Sequence, residues 1–120
     1  MHFEGLPADL VAYINYEEGL KRIMNNAKIY SKTLNMFAAT KEFDNLKQAL
    51  SEGDMEKCTH SAHAIKGMAA NLSIAKVYEI SSTLQDEFEK GTLNNDKVSE
   101  LFQAADKTIE YIALLQEKMV

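Results

Sequence analysis

One cysteine and one proline occur in 120 residues. The lone thiol, Cys58, excludes an internal disulfide and any multi-cysteine zinc or iron–sulfur site. The lone proline, Pro7, sits near the N-terminus, so nothing after it forbids long helices. Long apolar runs are missing as well. None approaches the roughly 18 residues that a bilayer crossing needs, and no Lys or Arg precedes Lys21, so neither a membrane span nor a secretory signal is expected. Runs of five or more like charges are also missing, and 18 acidic against 13 basic residues leave a formal net charge of −5. Without a clustered basic surface, nucleic acid is a poor partner. What is present, 46% apolar and 26% charged residues, suffices for one core. A single domain over residues 1–120 is expected, with a cytoplasmic location as the best fit for a free thiol.

The apolar residues recur at helical spacing. At 100° per residue, Cys58, Ala62, Ile65, Ala69 and Leu72 fall in a stripe about 60° wide, the core face of a helix from Asp54 to about Asn71. Val77, Ile80, Leu84 and Phe88 form a second stripe over roughly Ser73 to Lys90. Val98, Leu101, Phe102, Ala105, Ile109 and Ile112 form a third from Asp96 onward. Earlier, Ala27, Tyr30, Leu34, Phe37 and Ala38 share a face, but Phe43, Leu46 and Leu50 are rotated from it, which predicts a break near Ala38 to Lys41. Gly53 before Asp54 reads as a helix stop and N-cap, and Gly91 as another stop. Gly19 falls within or at the end of a short helix. The short connections predict an all-α, antiparallel up-down four-helix bundle with an additional short N-terminal helix. The methionines and the aromatics Tyr30, Phe37, Phe88 and Phe102 read as core.

One segment does not fit a purely structural reading. In His60-Ser61-Ala62-His63-Ala64-Ile65-Lys66-Gly67, the residues His63, Lys66, Gly67 and Ala70 lie about 120° from the core stripe, towards solvent. Gly67 costs about 1 kcal/mol relative to Ala inside a helix, and no turn is called for there. A bare backbone one turn after an exposed imidazole, with an ammonium three residues from it, suits a covalently attached dianion. Neutral His63 would attack a phosphoryl donor and Lys66 would offset the charge of the product. The sequence has no P-loop, no kinase lysine motif and no carboxylate cluster for Mg²⁺, so a partner must bring that chemistry.

These residues, Ala62-His63-Ala64-Ile65-Lys66-Gly67-Met68-Ala69-Ala70-Asn71-Leu72, resemble the core of histidine-containing phosphotransfer (HPt) domains. Tyr16 to Arg22, Tyr30, Leu34, Phe37, Leu46, Leu50 and Gly53-Asp54 follow the same family's spacing. The resemblance spans roughly residues 15 to 90, and the last helix is similar in character only. It implies a phosphorelay intermediate, without ATP-binding or kinase activity, that carries a phosphoryl group between receiver-domain aspartates. His63 would then be the phosphoryl acceptor, Lys66 the phosphate partner, Gly67 the clearance position and Gln85 the residue orienting the imidazole. Two positions depart from the family pattern. Ser73 stands where relatives usually carry glycine, and Glu89 replaces a basic residue that some relatives place four after the Gln.

Response-regulator receiver domains, or a hybrid histidine kinase, are the implied partners, and Mg²⁺ is expected on the receiver. This chain itself is expected to hold no cofactor and no metal; His60 and His63, three apart with Cys58 on the opposite face, do not make up a ligand set. A monomer is expected, because a carrier needs no dimer. Docking is expected on the face of Thr59, His63, Gly67, Ala70 and Ile74. A kinase dimerisation helix pair is disfavoured, since Ala64 stands where an acidic residue usually follows the histidine. A helical adaptor that docks receivers without being phosphorylated is the other alternative.

Overall fold

The structure, a computed structural model, describes residues 3–119. Among these residues seven helices follow in order: α1 Leu10–Tyr13, α2 Tyr16–Arg22, α3 Ala27–Ala38, α4 Glu42–Glu52, α5 Met55–Leu72, α6 Ala75–Glu89 and α7 Asn95–Lys118. The predicted break separates α3 from α4. Together they occupy the first position of a four-helix bundle completed by α5, α6 and α7. Only residues 53–54, 73–74 and 90–94 join the later helices, so successive neighbours run antiparallel. The short N-terminal helix is present as two pieces, α1 and α2.

Local chemistry sets these boundaries. Asn15, Asn26, Asp54 and Asn94 each accept a bond through the side chain from the backbone N–H three residues on, satisfying donors that helix starts leave unpaired. Four helices end in the same paired-bond turn. After α6, Thr92 N–H donates to Glu87 O and Gly91 N–H to Phe88 O, with Gly91 at φ 74°. After α4 the equivalent bonds run from Asp54 to Ala49 and from Gly53 to Leu50, with Gly53 at φ 66°. This turn needs a left-handed residue, which glycine adopts without a Cβ penalty. After α2 and α5 the left-handed positions are instead held by Met24 at φ 56° and Ser73 at φ 57°.

The core forms along the predicted stripes. Cys58, Ala62, Ile65, Ala69 and Leu72 are buried on α5, and Val77, Ile80, Leu84 and Phe88 on α6. Small residues on the facing sides, among them Ser61, Ala62, Ala69 and Ser81, accompany the most extensive helix pairing in the fold, that of α5 with α6. At the α3–α4 break, Phe43 stands edge-on to Phe37 (5.9 Å) and to Phe102 of α7 (6.2 Å). Gln116 of α7 donates to Ser31 O (2.9 Å) and Asn35 Oδ1 (3.2 Å), tying α7 to α3. Tyr111 donates to Asp9 at 2.5 Å and fixes the N-terminal segment to the far end of α7.

Three expectations about burial need correction. On α7 the stripe is centred on Leu101, Ala104, Thr108, Ile112 and Leu115, which leaves Ile109 exposed at its edge. Thr108 takes the buried place because its hydroxyl donates to Ala104 O one turn back (2.7 Å). The methionines are not uniformly core. Met36 lies two residues from Leu34, hence on the opposite face of α3, and Met24 is 92% exposed in the turn after α2. Met1 lies outside the described residues. Finally, Ile74 is fully buried rather than part of an exposed face, because the left-handed turn at Ser73 takes it off the α5 wheel and directs its N–H to Ala69 O.

Candidate functional site

His63 lies on the outer side of α5, one residue beyond the buried Ala62 and two before the buried Ile65, and its side chain is exposed. Across the α5–α6 contact, Gln85 comes forward from the flank of the α6 stripe, one residue after the buried Leu84. Its amide oxygen Oε1 is 3.4 Å from Nδ1 of His63. The other end of the same amide is committed as well: Nε2 donates to Glu89 Oε1 at 3.1 Å, one turn further along α6.

This chain of contacts defines the amide orientation chemically. A carboxylate only accepts, so the NH₂ of Gln85 must face Glu89 and the oxygen must face the imidazole. With the amide so turned, an Nδ1–H tautomer of His63 donates to Gln85 and carries its lone pair on Nε2. Gln85 and Glu89 were legible as an i, i+4 pair.

Lys66 and Gly67 follow His63 by three and four residues, so both lie on its side of the helix. Lys66 is half-buried and makes no ion pair among the described residues. Gly67 is exposed, and a Cβ built there would meet nothing within 4 Å. The fold therefore does not require glycine at this position. Gly19 differs: a Cβ there would come within 2.4 Å of the Tyr30 hydroxyl.

His60, one turn earlier, is also exposed, and it shares with His63 a broad groove between α4, α5 and α6. Its ring has no hydrogen-bond partner among the described residues, and the residues three and four on are His63 and Ala64. Cys58 is fully buried on the opposite face. Burial first, then the charge of Asp54, pushes its thiol above the usual range, so it is no thiolate nucleophile.

The left-handed Ser73 is explained by what surrounds it. Its Oγ donates to Glu18 Oε1 (2.9 Å) and accepts from Arg22 Nε (3.2 Å), and its carbonyl accepts from Asn15 N–H (2.9 Å). Next to it the Tyr30 hydroxyl donates to Leu72 O at 2.7 Å. Burial, then the charge of Glu18, pushes the phenol pKa far up and keeps it a donor. Serine thus replaces glycine here by exchanging backbone freedom for side-chain bonds to α2.

Residues 37–117 match the family model of the Hpt domain. The chain belongs to the Hpt domain family. The matched region begins later than the resemblance drawn from residues 15 to 90 and extends through nearly all of α7. No curated protein and no solved structure matches the chain. Hpt domains take part in phosphotransfer within His–Asp phosphorelays, as phosphocarriers without kinase activity of their own. No helix among the described residues of this Hpt domain is long and apolar enough to cross a membrane.

Proposed function

We propose that this Hpt domain is a phosphorelay intermediate in which His63 accepts a phosphoryl group from a receiver-domain aspartate and passes it to another receiver aspartate. The observation that carries this reading is the exposed imidazole whose Nδ1 faces Gln85 Oε1 at 3.4 Å, leaving the second ring nitrogen uncommitted. The Nε2 lone pair attacks phosphorus, the N–P bond forms, and the P–O bond to the aspartate breaks. The carboxylate leaves with the electron pair. The ring acquires positive charge, which its Nδ1–H, held by Gln85, spreads into a strengthened hydrogen bond. No proton has to move during the attack. Lys66 offsets the phosphoryl charge, and the bare backbone at Gly67 lets the partner approach. Mg²⁺ belongs to the receiver, which supplies most of the catalysis. This chain supplies a positioned nucleophile in a cytoplasmic relay, acting as a monomer.

The test is transfer of label from a phosphorylated receiver with Mg²⁺ to wild type and to His63→Gln. Acid-labile, base-stable label on wild type alone is expected. Label retained by the variant moves the acceptor to His60 or elsewhere. A folded wild type that takes no label from any of several receivers reduces the domain to a docking adaptor.

A further inference from the structure

We propose that Glu89 is a positioning residue that selects the reactive tautomer of His63 through Gln85. The inference rests on the proposed role of His63 and concerns how that site is kept competent. A glutamine amide beside an imidazole is ambiguous. Turned one way its oxygen accepts from Nδ1–H and frees Nε2; turned the other way its NH₂ donates to Nδ1 and leaves the ring proton on Nε2, the nitrogen meant to attack. Nothing in the His63–Gln85 pair alone chooses between them.

Glu89 makes the choice. Its Oε1 takes the Gln85 NH₂ at 3.1 Å, and the flipped amide would set Gln85 Oε1 against a carboxylate oxygen, replacing a hydrogen bond with repulsion between two acceptors. Glu89 has no Lys or Arg partner among the described residues, so its lone pairs remain available to the amide. Both residues stand on α6, one helical turn apart, and their spacing depends on no loop. A cation at position 89 would do the reverse: it would attract Gln85 Oε1 and turn the NH₂ towards His63.

The logic predicts a rescue. Glu89→Lys should shift the neutral His63 ring towards the Nε2–H tautomer and slow phosphoryl uptake about tenfold, the scale of one hydrogen bond's net contribution. Adding Gln85→Glu to Glu89→Lys restores an accept-only group beside Nδ1, paired with the new lysine, and should return both tautomer and rate towards wild type. Glu89→Gln, which either accepts or donates, should give a mixture.

The measurement is the ¹⁵N chemical shift pair of the His63 ring at a pH where the ring is neutral, made on wild type, both Glu89 variants and the double variant, with uptake rates alongside. Tautomer populations unchanged by Glu89→Lys, or a double variant no better than the single, overturn the inference. If the tautomers move as described but even wild type takes no label, the tautomer control stands and the phosphotransfer reading fails.

Discussion

The ring of Tyr30 occupies the space that any side chain on Gly19 would need, with its hydroxyl 2.4 Å from where that Cβ would stand. Tyr30 is itself buried and bonded to Leu72 O, so it has little room to withdraw. Gly19→Ala should therefore destabilise the fold by about 1–3 kcal/mol, outweighing a helix-propensity gain of about 1 kcal/mol. Thermal unfolding followed by circular dichroism decides the matter, and an unchanged or higher Tm would refute the steric account.

Gly67 should behave oppositely. An alanine there meets nothing, so Gly67→Ala should stabilise by about 0.5–1 kcal/mol. Gly67→Phe should keep helicity and lose phosphoryl uptake, because the bulk falls where the partner approaches. Unimpaired uptake by the phenylalanine variant would remove the clearance role.

Two of the three non-glycine residues with left-handed backbone, Met24 and Ser73, make a second contrast. Met24 at φ 56° is exposed and its side chain compensates nothing, so Met24→Gly should stabilise by about 1 kcal/mol. Ser73→Gly relieves the same strain but gives up the bonds to Glu18 and Arg22, and should be neutral or destabilising. Paired denaturant titrations compare them. Equal gains at both sites would show that the serine bonds contribute nothing.

The Ser73–Glu18 contact also predicts a pH dependence. The Ser73 hydroxyl first, and then Arg22, hold the Glu18 carboxyl below the usual glutamate range. A group with a lowered folded pKa contributes stability above its unfolded value and loses it as pH falls through the folded one. The Tm advantage of wild type over Ser73→Ala should thus be full at neutral pH and shrink on acidification below the ordinary glutamate value. An advantage constant down to about pH 3 would mean that the carboxylate charge plays no part.

Cys58 offers a probe of the whole fold. Because the thiol is fully buried and its pKa is raised, a thiol reagent should leave it untouched in the native protein and modify it promptly in denaturant. Rapid modification under native conditions would show that the α5 core face opens locally.

Helix order and the α5 and α6 core stripes were legible because a buried face repeats every three to four residues. The His63, Lys66 and Gly67 face was legible for the converse reason: a glycine inside a helix lacked any local cause. Ile74 was misplaced because a wheel continues a helix that the Ser73 turn had already ended. Ile109 reads as core by polarity alone, whereas Thr108 takes the buried place because its hydroxyl is satisfied within its own helix. The Gln85–Glu89 contact has no hydrophobic signature, and its meaning emerges only once α6 lies against α5.

Asp54 caps the first turn of α5 and the left-handed Ser73 closes its last, so this helix is fastened at both ends. Its azimuth is then set by counting residues. One residue inserted between Asp54 and His63 would swing the two halves of the segment out of phase by about 100°, either carrying the imidazole away from Gln85 or driving the Cys58–Ile65 stripe out of the core. No side-chain substitution imposes that choice. The stretch from 54 to 73 should accordingly accept no change of length, whereas Leu93, between the Gly91–Thr92 turn and the Asn94 cap and orienting neither His63 nor Gln85, marks where the chain has freedom to grow.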